Sequence, residues 1–260
     1  MKKHIDAKVT LVGAGPGDPD LMTIAGVKAL QDAKVILYDA LVNKEILDFA
    51  PRAKKIFVGK RLGYKRYKQE EINYLLLVNA MEHGKVVRLK GGDSFVFGRG
   101  AEEVDYLQAF GIETKVIPGI SSSTSASTAV GISLTERSLA QGFWVLTGTK
   151  EYGEFTKDID LAAQSSSTVV ILMGMSKLAK IAAAFAEHGK EDLPIAVIQN
   201  AHCKNQKHVM GTISTIQSEV ATHNIKNPAV IVIGEVVRNS KNWQDLVFAQ
   251  IAKSTENKKS

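Results

Sequence analysis

The feature that most constrains this chain is a regular alternation of two periodicities over most of its length. Short runs rich in β-branched residues recur at 8–12, 34–38, 55–58, 85–89 and 114–117, then at 143–147, 168–173, 195–199 and 229–233. Runs of this kind, bounded by turn residues, read as strands. Between them, 24–32, 69–83, 101–110, 177–188 and 213–223 carry apolar residues at helical spacing. In 69–83, Ile72, Leu75 and Leu76 share one face, with Asn79 its polar exception. Strands that alternate with helices imply crossover connections, so the expectation is an α/β fold with a largely parallel sheet covered by helices.

At 260 residues the chain is long enough for one large α/β domain or two smaller ones. The best internal boundary is the Pro118-Gly119-Ile120 turn and the serine-rich stretch behind it, 121–127. Ala126, Ala129 and Val130 favour a packed small-residue helix there over a flexible linker. The expected domains are therefore 1–118 and 119–251, with 243–251 keeping helical spacing and 252–260 a frayed tail.

Composition removes several function classes. The apolar runs at 169–173 and 181–186 are far too short to cross a bilayer, and no apolar signal region follows Met-Lys-Lys-His-Ile-Asp. The expectation is a cytoplasmic protein that uses no membrane. The single cysteine, Cys203, allows no internal disulfide, and with His202 alone beside it no metal site is expected. A net charge of +6 and a pI near 9.2 suit a polyanionic partner, and part of the excess lies at 54–68. Only 7% of residues are aromatic, without the basic and aromatic interleaving that nucleic-acid binding uses, so no nucleic-acid partner is expected.

Three motifs carry the chemistry. Val12-Gly13-Ala14-Gly15-Pro16-Gly17-Asp18-Pro19 follows the first strand. Pro16 and Pro19 fit poorly with a dinucleotide loop, which needs free backbone amides against a pyrophosphate, and a structural turn remains equally open on these residues alone. Lys90-Gly91-Gly92-Asp93-Ser94-Phe95-Val96-Phe97-Gly98-Arg99-Gly100 closes the fourth strand and opens a helix, the position where open α/β sheets bind ligands. A simple turn needs one glycine, and this stretch has four, which favours a binding loop. Finally, Asp39 ends one strand and Lys60 follows the next, as a candidate proton acceptor and donor or as a surface ion pair.

In order along the chain, LVGAGPGDPDL (11–21), Tyr38-Asp39, VGKRLG (58–63), QEEIN (69–73), VVRLKGGDSFVFGRG (86–100) and VIPGISS (116–122) resemble the tetrapyrrole methylase family. The series continues through 131–135, Thr147-Gly148, 172–174 and PAVIVIGEVV (228–237), and so spans nearly the whole chain. The resemblance is to members that methylate uroporphyrinogen III. It implies two αβα domains with the active site in the cleft between them, and a homodimer. It also implies S-adenosylmethionine as methyl donor, with S-adenosylhomocysteine as by-product. The implied reaction is C-methylation of uroporphyrinogen III at C2 and C7, giving precorrin-2 for siroheme or cobalamin.

By the same resemblance, Asp39 and Lys60 match the proton acceptor and donor, and Pro16, Gly91, Gly92, Asp93, Val96, Ser121, Ser122, Met173 and Ala201 match cofactor positions. Arg61, Arg99 and Arg137 would offer charge-assisted hydrogen bonds to the carboxylates of the substrate. Three positions depart from the pattern: Ser94 stands where proline is usual, and Glu136 and Thr149 each stand where histidine is usual. A later corrin precursor is the alternative substrate, and an RNA methylase or a nicotinamide oxidoreductase ranks below both. Without an appended dehydrogenase and ferrochelatase portion, the chain is not expected to complete siroheme alone.

Overall fold

The computed structural model describes residues 6–59, 67–149 and 156–245. It divides into two compact units, Met1–Ser122 and Ser123–Ser260, the break falling at the start of a short helix.

In the first unit, β1 (Lys8–Gly13), β2 (Val35–Tyr38), β3 (Lys54–Phe57), β4 (Lys85–Lys90) and β5 (Glu113–Ile117) form one sheet of order β3-β2-β4-β1-β5. Every pairing in it is parallel. The crossovers include α1 (Ile24–Asp32), α2 (Gln69–His83) and α3 (Gly100–Ala109). Side chains alternate between the two faces of each strand, and both faces are covered, which explains why apolar residues of β1, β2 and β4 fall on either side. Val12, Ile36, Val87, Leu89 and Ile117 pack with Leu30 of α1. Val9, Leu11, Val35, Leu37 and Val86 pack with Ile72 and Leu76 of α2 and Leu107 of α3.

Local sequence fixes the ends of these helices. The Thr23 hydroxyl accepts from the Gly26 amide at 3.1 Å and caps α1. The Glu71 carboxylate accepts from the Lys68 amide at 2.7 Å to open α2, and Gly84, with a φ of 81°, closes it. Both helices have the bounds that hydrophobic spacing predicts.

The second unit departs from the expected parallel sheet. After α4 (Ser122–Thr128) come β6 (Phe143–Thr147), α5 (Asp158–Gln164), β7 (Thr168–Leu172), α6 (Leu178–Ala186), β8 (Pro194–Gln199), β9 (Lys207–Thr212), α7 (Ile216–Thr222) and β10 (Ala229–Ile233). The sheet order is β6-β7-β10-β8-β9, and only β6 and β7 run parallel. The other three pairings are antiparallel. The reason is β9, which the strand reading misses: KHVMGT is polar at both ends and carries Gly211, so it lacks a clear β-branched run. A short loop from β8 to β9 leaves room only for an antiparallel return. The helix at 158–164 is also missed, because two turns give too few apolar positions for a period.

The serine-rich stretch does fold as a packed small-residue helix, with Ala126 and Val130 buried beneath it. No helix among the described residues is long and apolar enough to cross a membrane. The predicted tail at 252–260 and most of 243–251 lie outside the described residues.

Candidate active site

Three loops at the carboxyl ends of the adjacent strands β4, β1 and β5 are built into one another. Gly15 and Gly92 exchange backbone hydrogen bonds, from the Gly15 amide at 3.2 Å and from the Gly92 amide at 2.7 Å. The Ala14 amide donates to the Lys90 carbonyl at 2.7 Å. A Cβ on Gly13 would lie 2.4 Å from the Gly119 nitrogen and 2.6 Å from the Gly92 carbonyl oxygen, so only glycine permits this approach. The Asp93 carboxylate closes the assembly, one oxygen accepting from the Gly119 amide at 3.0 Å and the other from the Phe95 amide at 2.7 Å.

The glycine-proline loop is thus clamped to the Gly-Gly-Asp loop by backbone pairing, and the sequence-predicted Pro16, Gly91, Gly92 and Asp93 come together with Ser121 and Ser122. Above Gly92, which has a φ of 66°, a Cβ would meet, among the described residues, only the Ser122 nitrogen, at 3.9 Å. Backbone is therefore open to close approach by a ligand at this point. Val96 follows on the same loop, whose Phe97 and Arg99 both adopt left-handed φ.

Ser94, where proline is usual in the resemblance, is fully buried, and its hydroxyl has no hydrogen-bond partner among the described residues. A buried hydroxyl in that state destabilises the fold by about 1–3 kcal/mol. Ser94→Ala is therefore expected to raise the melting temperature, measured by calorimetry, by about 2–4 °C for each kcal/mol relieved in a chain of this size.

Asp39 follows β2 and is partly buried. One carboxylate oxygen accepts from the Leu41 amide at 3.1 Å, and the other lies 3.8 Å from Nη2 of Arg88. Spacing pairs Asp39 with Lys60; Lys60 and Arg61 lie outside the described residues, and among the described residues Arg88 is a cation beside Asp39. Arg88 and Lys90, two apart on β4, point to the same face and are both buried. Each reaches Oε1 of Glu103 on α3, Arg88 Nε at 3.2 Å and Lys90 Nζ at 2.9 Å. Gln69 of α2 donates to the same oxygen at 3.0 Å. Burial holds the Lys90 ammonium below its ordinary range, Arg88 acting with it and Glu103 and Asp39 against it.

Sequence reading missed this cluster. Two cations at i and i+2 in a strand that must be buried on both faces were a usable signal, since buried charges require partners. Arg99, expected to meet substrate, forms a two-pronged pair with Glu102, at 2.8 and 2.6 Å. That hydrogen bonding lowers the Glu102 carboxyl below its ordinary range.

In the second unit, the loops after β6, β7 and β8 hold the remaining predicted residues. Met173 follows β7 with a φ of 54°, and half of its surface is exposed. The Thr149 hydroxyl donates to the Met173 carbonyl at 3.1 Å, and the Gly148 amide donates to Leu172 at 2.8 Å. Ala201 lies between Asn200 and His202, whose φ values are 49° and 61°. Left-handed non-glycine residues are strained by about 1–3 kcal/mol each and gather at functional sites. The loop is anchored to α4, with His202 Nε2 2.8 Å from the Ser125 carbonyl. Glu136 accepts from Asn239 through both carboxylate oxygens at 2.9 Å, while Arg137 beside it is exposed.

Residues 8–217 match the model of the tetrapyrrole (corrin/porphyrin) methylases. The chain is 45% identical to a uroporphyrinogen-III C-methyltransferase of Methanocaldococcus jannaschii, over 88% of this chain and 96% of that one. It is 42% identical to a siroheme synthase of Pseudoalteromonas atlantica, matching 94% of this chain but only 54% of that longer protein. Among solved structures, a uroporphyrin-III C-methyl transferase from Thermus thermophilus complexed with S-adenyl homocysteine superposes with a TM-score of 0.77 at 37% identity, covering 89% of this chain and 93% of that one. With a family model covering residues 8–217 and a relative 45% identical over nearly all of its own length, the chain belongs to the tetrapyrrole methylases.

Proposed function

We propose that this chain transfers methyl groups from S-adenosylmethionine to C2 and C7 of uroporphyrinogen III, giving precorrin-2 on the route to siroheme or cobalamin. The observation that carries the reading is the position of Asp39, a carboxylate fixed by the Leu41 amide and facing Arg88 at the strand ends that also hold the interlocked glycine loops. The relatives named for this reaction match this chain along nearly all of their own length.

The residues suit the cofactor. The open face above Gly92 and the neighbouring Ser121 and Ser122 admit a ligand against backbone, and Met173 and Ala201 present strained loops of the kind that contact ligands. When bound, S-adenosylmethionine supplies an electrophilic methyl on sulfur. Such a transfer needs alignment and exclusion of water more than acid catalysis. Asp39 accepts the proton that the alkylated macrocycle must lose, and Lys60 is the matching donor. Arg61, Arg99 and Arg137 bind the carboxylates of the substrate, Arg99 by exchanging Glu102 for one of them. A cytoplasmic homodimer is the assembly that accompanies this reading, and it rests on the family resemblance.

The test compares two acceptors, uroporphyrinogen III and its dimethylated product, under anaerobic conditions with S-adenosylmethionine. The expected result is a kcat/KM at least about tenfold higher for uroporphyrinogen III. The reverse preference would assign the chain to a later corrin precursor.

A further inference from the structure

We infer that Glu103 is a positioning residue, which fixes the Arg88 guanidinium toward Asp39 and so sets the orientation of the acceptor carboxylate; the inference rests on the reading of Asp39 as proton acceptor. The geometry has three parts. Glu103 is fully buried, and its Oε1 receives Arg88 Nε, Lys90 Nζ and Gln69 Nε2 at 3.2, 2.9 and 3.0 Å. Its Oε2 is buried with no hydrogen-bond partner among the described residues. Arg88 is held on every edge: Nε by Glu103, Nη1 by the Leu37 and Leu89 carbonyls at 3.4 and 3.1 Å, which leaves Nη2 toward Asp39 at 3.8 Å.

Stability alone does not account for such a group. A buried ion cluster is often no more stabilising than an apolar replacement of the same volume, and an unpartnered buried carboxylate oxygen is a further cost. Charge balance supplies the missing reason. Among the described residues, Arg88 and Lys90 face two carboxylates, Glu103 and Asp39, and Asp39 alone of the four is within reach of solvent and substrate. The buried cations therefore act on Asp39 with a geometry that Glu103 determines. Leu37, whose carbonyl also holds Arg88, lies two residues before Asp39 on β2, so the same guanidinium spans the strand that delivers the acceptor.

The test uses the full chain and three variants: Glu103→Gln, Glu103→Gln with Lys90→Met, and Glu103→Gln with Asp39→Asn. The first removes one charge without changing shape, and the second also removes one cation and restores the balance. Glu103→Gln is expected to lower kcat for methyl transfer to uroporphyrinogen III at least about tenfold, while the dissociation constant of S-adenosylhomocysteine by calorimetry stays within about twofold. Adding Lys90→Met is expected to recover melting temperature but not kcat, so a poorly folded single variant still leaves a readout. On an Asp39→Asn background, Glu103→Gln is expected to add less than about a twofold further loss, because it acts through Asp39.

A Glu103→Gln enzyme with wild-type kcat, or losses that multiply on the Asp39→Asn background, would overturn the inference. So would a loss of kcat that the charge-balancing variant restores together with melting temperature. Failure of the wild-type chain to methylate uroporphyrinogen III would instead overturn the reading of Asp39 on which the inference stands.

Discussion

Asp39→Ala is expected to lower kcat by about 10²- to 10⁴-fold, the usual range for loss of a positioned acid or base. The dissociation constant of S-adenosylmethionine is expected to stay within about twofold, since an interaction needed only in the transition state leaves ground-state binding alone. Asp39 does two things in the structure. It accepts from the Leu41 amide, which shapes the turn after β2, and it presents its other oxygen toward Arg88. Leu41 in turn abuts the Gly-Gly-Asp loop, because a Cβ on Gly91 would lie 2.7 Å from the Leu41 Cβ. Asp39→Asn separates the two tasks, since an asparagine oxygen can still accept from Leu41 but cannot take a proton from the macrocycle. Equal loss of rate in both variants with retained cofactor affinity assigns Asp39 to proton transfer. A fall in cofactor affinity in Asp39→Ala that Asp39→Asn restores would assign it to the shape of the loop.

The second large effect concerns Gly13. A methyl group there would meet Gly119 nitrogen at 2.4 Å, Gly119 Cα at 2.5 Å and the Gly92 carbonyl at 2.6 Å. All three are backbone atoms, so no side chain can rotate away and the loops after β1, β4 and β5 must separate. Gly13→Ala is expected to destabilise the chain by about 3 kcal/mol or more, as overpacking against fixed backbone does. A loop displaced by about 1 Å can cost about 10²-fold in kcat/KM, so activity is expected to fall with stability. Gly111→Ala is the control. Gly111 has a φ of 72° with nothing within 4 Å of its missing Cβ, so only the left-handed backbone opposes a side chain, at about 1–2 kcal/mol. Chemical denaturation of the two variants, with methyl transfer assayed in parallel, measures both effects. Equal destabilisation with full activity in Gly13→Ala would show that the interlocked loops do not form the site.

Much of the first unit was legible because burial on both sheet faces writes itself into the strands as near-continuous apolar runs. The capped helix Ile24–Asp32 was legible because its apolar residues keep one face, and Gln69–His83 because it is long and Ile72, Leu75 and Leu76 lie close together within it. The second unit was harder. Its antiparallel pairings depend on β9, a strand whose polar ends and Gly211 suppress the usual composition, and no local pattern records strand direction. The same distinction holds at the site. The glycine loops at 13–17 and 91–92 could be read as places where a ligand or another backbone comes close, whereas Gly119 reads only as a boundary turn and its packing against Gly13 was not legible. The partner of Asp39 could not be read, since Arg88 lies 49 positions away on a neighbouring strand and Glu103 on the helix beyond it. Spacing nominates Lys60, which follows β3 and lies outside the described residues, while the Arg88 contact comes from β4 on the other side of β2, an adjacency that no local pattern records.

The most direct test of the central claim is anaerobic incubation of the purified chain with uroporphyrinogen III and S-adenosylmethionine labelled with carbon-13 at the methyl group. Product mass and carbon resonances are then followed. The account predicts two labelled methyl groups per macrocycle, bonded to C2 and C7, with S-adenosylhomocysteine formed in equal number to the methyl groups transferred. Binding of S-adenosylmethionine with no label on uroporphyrinogen III would contradict it, and would leave a tetrapyrrole methylase whose substrate lies elsewhere.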